Sequence, residues 1–95
     1  MLLKILRIHG HSMEPVIKNG SAVFVSSVPF ILRNPKKDDI VALKFEDKIF
    51  IKRIRSVLED KYYLEGDNKR DSLDSREIGL VNRENIVGKV LCIIG

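Results

Sequence analysis

A length of 95 residues allows one domain with a single modest core and excludes a second. A hydrophobic share of 44% and a charged share of 32% describe an ordinary globular chain and exclude a disordered one. The formal charge of +4 permits an acidic partner without demanding one, because 13 acids are interspersed among 17 basic residues, and the single Cys92 excludes a disulfide framework or a cysteine-based metal cluster.

The opening Met1-Leu2-Leu3-Lys4-Ile5-Leu6-Arg7-Ile8 has the look of a secretion signal, but Lys4 and Arg7 interrupt it and no small-residue cleavage site follows. It reads as part of the fold. Nowhere does an apolar run approach the roughly eighteen residues needed to span a bilayer. The expectation is a soluble chain, cytoplasmic or peripherally attached to a membrane. Residues 4–8 predict a first short strand leading into His9-Gly10-His11-Ser12-Met13-Glu14-Pro15. There Gly10 opens backbone angles closed to other residues, while Pro15 fixes its own φ and keeps Glu14 out of the helical region. Such a turn leaves the Ser12 backbone N–H able to point at a ligand.

Asn19-Gly20 is a turn signal, and Ala22-Val23-Phe24-Val25 predicts the next strand. Residues 26–37 carry Pro29 and Pro35 and predict a loop. Its apolar Val28, Phe30, Ile31 and Leu32 either tuck over the core or form a surface for substrate or membrane. Ile40-Val41-Ala42-Leu43-Lys44-Phe45 and Ile49-Phe50-Ile51-Lys52-Arg53-Ile54 flank Glu46-Asp47-Lys48 and predict a hairpin. Tyr62-Tyr63-Leu64 predicts a further strand, ending at Gly66-Asp67-Asn68. The chain is then almost wholly polar over 69–76, and strand character returns at 78–81 and 87–94. Repeats and low-complexity linkers are absent. The pattern predicts an all-β domain over 1–95, a compact coiled antiparallel sheet or barrel.

A serine hydroxyl is a weak nucleophile unless a base lies within hydrogen-bond reach. The candidates are His9, His11 and a lysine. A histidine mechanism wants a carboxylate to orient the ring, and the sequence identifies none. Lys52 occupies the middle of an otherwise apolar strand, where alternation puts Phe50 and Ile54 on its face. Two readings stand: a solvent-facing lysine on an edge strand, or a buried amine whose charged form is disfavoured by desolvation and which can therefore take a proton from Ser12. The segment from Gly66 to Arg76 is rich in turn formers and paired charges. Asp74 and Arg76 are placed to pair and fix a loop, and Ser72 offers a hydroxyl to orient an amine; a plain solvated loop is the alternative.

Together these stretches resemble the type I signal peptidase family, whose members use a serine/lysine dyad on a coiled β fold of the kind also found in LexA C-terminal domains. Gly10-His11-Ser12-Met13-Glu14-Pro15 is similar to its serine box. Ile51-Lys52-Arg53-Ile54 is similar to its lysine box, and the stretch from Gly66 to Arg76 to its Gly-Asp-Asn…Ser-x-Asp-Ser-Arg box; Gly79, Val81 and Ile86-Val87-Gly88-Lys89-Val90 match its closing segment. The resemblance implies that Ser12 is the nucleophile, Lys52 the general base, Ser72 the group that orients the amine, and Asp74 with Arg76 a pair holding that wall. It implies an oxyanion hole at the Ser12 N–H, aided in some relatives by a hydroxyl at the position of Gly10. That side-chain donor is missing here, and losing one such donor can cost roughly a hundredfold in rate. Gly20-Ser21 and Asp38-Asp39 also stand where relatives commonly carry Gly-Asp.

These 95 residues carry no stretch that reads as the membrane anchor or large insertion usual in signal peptidases, so the expectation is a chain that resembles in size the small maturation proteases of the family, such as that of nickel superoxide dismutase. The reading is a serine endopeptidase that removes a leader or propeptide from a precursor protein bound extended, with Met13, Val16 and Phe30 as candidate pocket walls and no metal or organic cofactor. Nucleic acid is not an expected partner. The rival reading, a noncatalytic basic module binding nucleic acid through Lys52, Arg53, Arg55 and Lys69-Arg70 or serving as a scaffold, has few aromatics for base stacking.

Overall fold

Seven strands pair into one wholly antiparallel sheet in the computed structural model, which describes residues 2–68 and 80–95. They are β1 (Lys4–Arg7), β2 (Ala22–Ser26), β3 (Ile40–Phe45), β4 (Lys48–Leu58), β5 (Lys61–Glu65), β6 (Val81–Asn82) and β7 (Ile86–Ile94). Their spatial order is β1-β2-β7-β3-β4-β5-β6. The all-β expectation is met, with local differences. Lys48 belongs to β4, because Glu46 and Asp47 at φ 50° and 68° already close a two-residue turn whose twist suits the β3–β4 hairpin. β4 also runs on to Leu58, turning into β5 through Glu59 at φ 57°. Of the strand expected at 78–81, Val81 opens β6, and residues 78 and 79 lie outside the described residues.

The loop expected at 26–37 contains a one-turn helix, α1 (Pro29–Leu32). Proline at its first position has the φ a helix needs and lacks only an N–H that would go unused there. Four residues are too few to show a helical period, so nothing in the sequence announced it. Phe30 anchors the turn in the core, with the guanidiniums of Arg33 and Arg83 at 5.6 and 5.5 Å from its ring centroid. The loop is closed by buried Asp39, which accepts two bonds from Arg33 at 2.9 and 3.1 Å and one from the Lys36 N–H. Burial alone would push the Asp39 carboxyl up; the Arg33 bonds and the Lys36 amide outweigh it and hold the group below its ordinary value.

Apolar side chains alternate along the central strands, so both faces of the sheet are buried and two clusters form. Val41, Leu43, Ile54, Leu64, Ile86 and Phe30 belong to one, and Met13, Ile17, Val23, Val25, Ala42 and Ile51 to the other. β3 supplies consecutive side chains to both. Shifts of register at Phe24/Val25, Ala42/Leu43 and Ile54/Ser56 bend the strands and curl the sheet around these clusters. Among the described residues, no helix is long and apolar enough to cross a membrane.

Candidate active site

The serine turn grows out of the end of β1. Ile8 donates its N–H to the Ser21 carbonyl and accepts from the Gly20 N–H, so the two ends of the excursion are tied together. Gly10 takes φ 104°, which a side chain would resist. Inside the turn Glu14 N–H reaches the His11 carbonyl and Ile17 N–H the Met13 carbonyl, and the Glu14-Pro15 peptide is cis. Met13 and Ile17 drive the excursion inward, both being buried in the second cluster. Ser12 sits half-buried between them and the exposed His11.

A second segment, far along the chain, holds this turn from the other side. Asn68 donates its backbone N–H to the Ser12 carbonyl at 2.8 Å and its side-chain amide to the His11 carbonyl at 2.9 Å. Gly66 lies so close that a Cβ there would stand 2.4 Å from the Ser12 carbonyl oxygen. Between them Asp67 faces β4. It accepts two parallel bonds from Arg53 at 2.9 Å each and one from Arg55 at 3.1 Å, and Arg55 also lies 3.6 Å from Glu65. The bond to Asp67 raises the Arg53 guanidinium above its usual value. Residues 66–68 therefore clamp the serine turn with one edge and β4 with the other.

Lys52 precedes Arg53 on β4 and pairs in register with Val41. It is 3% exposed, which decides between the two sequence readings: the lysine is buried rather than solvent-facing. Ser12 and Lys52 line one cavity of about 290 Å3, together with Leu6, Ile8, His9, Met13 and residues 49–51. Arg7 is at its rim, donating to the Gly20 carbonyl. The Ser12 backbone N–H has no hydrogen-bond partner among the described residues, whereas the Gly10 N–H is taken by Asn19 Oδ1 at 2.8 Å.

The remaining sequence candidates divide. Met13 is at the cavity, but Val16 and Phe30 do not line it: Val16 faces solvent beyond the turn, and Phe30 is spent on the core under α1. Ser72, Asp74 and Arg76 lie outside the described residues. His11 is turned to the surface, its Nδ1 2.8 Å from Glu14 Oε1, a contact that holds the Glu14 carboxyl below its ordinary value. His9 reaches the cavity, but among the described residues no carboxylate bonds its ring. Sequence reasoning missed the Asp67 clamp, and only its rival reading offered Arg53 and Arg55 as nucleic-acid contacts. Both are paired with acids instead, which removes the centre of that basic face.

The Peptidase S24-like family profile matches residues 2–91. The chain belongs to the Peptidase S24-like family. A signal peptidase I of Bacillus amyloliquefaciens is 24% identical over 129 aligned positions, which take in 85% of this chain and 70% of that protein. The alignment is longer than the chain, so the relative carries extra residues within the matched region. For this Peptidase S24-like protein, membership and likeness agree with the all-β fold and place it among peptidases.

Proposed function

We propose that the chain is a serine endopeptidase in which Ser12 is the nucleophile and Lys52 the general base, and that it trims a leader or propeptide from a precursor protein. One observation carries the reading: a half-buried serine on an irregular turn and a buried lysine on a strand open onto the same cavity. Burial disfavours the ammonium relative to the neutral amine, and only the neutral amine can accept a proton. Substrate binding in extended form is supported by two open backbone edges at this cavity. β1 ends the strand order, and β5 pairs with β4 only from Arg53 onward, so neither residues 6–9 on their outer side nor 49–52 on the side away from β3 have a strand partner among the described residues. A precursor strand inserted between them can pair with both.

In the proposed reaction the Ser12 oxygen attacks the scissile carbonyl as its proton passes to the Lys52 amine, and the oxyanion is met by the Ser12 backbone N–H. The lysine then returns the proton to the departing amine, leaving an acyl ester on Ser12. Water, deprotonated by Lys52, releases the acid. Ser72, Asp74 and Arg76 keep the roles the family resemblance implies: orienting the amine and bracing the wall.

The test is cleavage of candidate precursors followed by N-terminal sequencing of the product. Ser12→Ala and Lys52→Arg should each lower turnover by about a thousandfold or more, since the members of such a unit fail together and guanidinium does not surrender its proton. Turnover retained by either variant overturns the assignment.

A further inference from the structure

A precursor strand laid along β1 has two faces, and this chain makes them unlike. Leu6 and Ile8 turn inward and pack against the second cluster, whereas Arg7 and His9, which alternate with them, are exposed on the opposite side. All four line the cavity. A strand paired with this edge alternates in the same way. Every second side chain of the precursor therefore shares a face with Leu6 and Ile8, and those between share a face with Arg7 and His9. The first set meets apolar walls; the second meets a basic one.

Arg7 has charge to offer. Its Nη1 donates to the Gly20 carbonyl at 2.6 Å, which anchors one corner of the guanidinium. Among the described residues Nε and Nη2 have no hydrogen-bond partner, and no carboxylate lies within ion-pair distance. Arg33, Arg53 and Arg55, by contrast, are each held by an acid. No Asp or Glu among the described residues lines the cavity; Glu46 and Asp47, the acids nearest along β4, sit in the hairpin turn outside it. We infer that Arg7 makes the enzyme selective for precursors with an aspartate or glutamate on the outer face of the bound strand, one position out of step with the residues that meet the apolar walls. A carboxylate can accept parallel bonds from the free edge of the guanidinium, a glutamine forms only one neutral bond there, and a lysine is repelled. The inference rests on the peptidase reading and adds to it the charge of the substrate.

A library of randomised peptides, incubated with the full chain and read by mass spectrometry of the products, tests it. At one or more alternate positions on one side of the cut, Asp and Glu should be enriched over Asn and Gln by about fivefold, the upper range for an exposed ion pair. The intervening positions should show no such enrichment, and raising the salt should shrink it. Arg7→Gln should bring the acid-to-amide ratio to about one, Arg7→Lys should keep part of the preference, and Arg7→Glu should turn it toward Lys and Arg; thermal melts check that each variant folds. Cuts that depend on Ser12 but show no acidic enrichment, or an enrichment unchanged in Arg7→Gln, overturn this inference alone. A library left uncut, or cut equally well by Ser12→Ala, overturns the peptidase reading and this inference with it.

Discussion

The two sides of the cavity are built in opposite ways. Lys52 is placed by a regular ladder, six successive pairs between β3 and β4, so that its position follows from register alone. Ser12 sits on irregular backbone whose position depends on a handful of contacts with residues 66–68, more than fifty positions away. A ladder shares an insult among many bonds; a clamp concentrates it. The serine side is therefore the side at which distant substitutions should reach the chemistry.

The largest expected effect is that of Gly66→Ala. Its Cβ would overlap the Ser12 carbonyl, a backbone atom that cannot swing aside, so the turn must shift by something approaching an ångström. Turnover should fall by about a hundredfold or more, mostly in kcat. Steady-state kinetics of the folded variant checks this, and undiminished kcat would show that the clamp does not position the serine. On the lysine side, Val41→Ala empties a fully buried site directly across from Lys52 and should cost about 2 kcal/mol of stability in denaturant unfolding. Because the ladder persists, kcat should stay within about threefold of wild type; a large fall would erase the contrast.

The smallest effect is on acid stability. Glu14 has a folded-state value below the ordinary 4.5, chiefly through its His11 contact. Its contribution is thus fully present above about pH 4.5 and is lost as pH falls through the depressed value. Glu14→Gln should flatten that part of the stability profile in pH-dependent melts while leaving the neutral-pH melt nearly unchanged. An unaltered acid limb would show that the pair contributes nothing to holding the turn.

Local patterns explain what could be read in advance. Alternation revealed the strands, and a lone lysine among Phe50, Ile51 and Ile54 flagged Lys52, although alternation could not say whether the strand was an edge. Gly10 and Pro15 marked an irregular turn at Ser12. What stayed hidden is non-local: the Arg53–Asp67 pair spans fourteen positions and looks in sequence like two solvated charges. The approach of Gly66 to Ser12 leaves only a glycine as its trace, and glycine has many other uses. The single turn of α1 was too short to announce itself.

β3 has one more consequence. With Val41 and Leu43 committed to one cluster and Ala42 to the other, the strand is a common wall, and neither cluster can dissolve while its neighbour stays packed. Unfolding is then all-or-none. Global unfolding therefore parts Ser12 from Lys52 in the same step that opens the core, whereas a shift of the serine turn alone leaves the core packed.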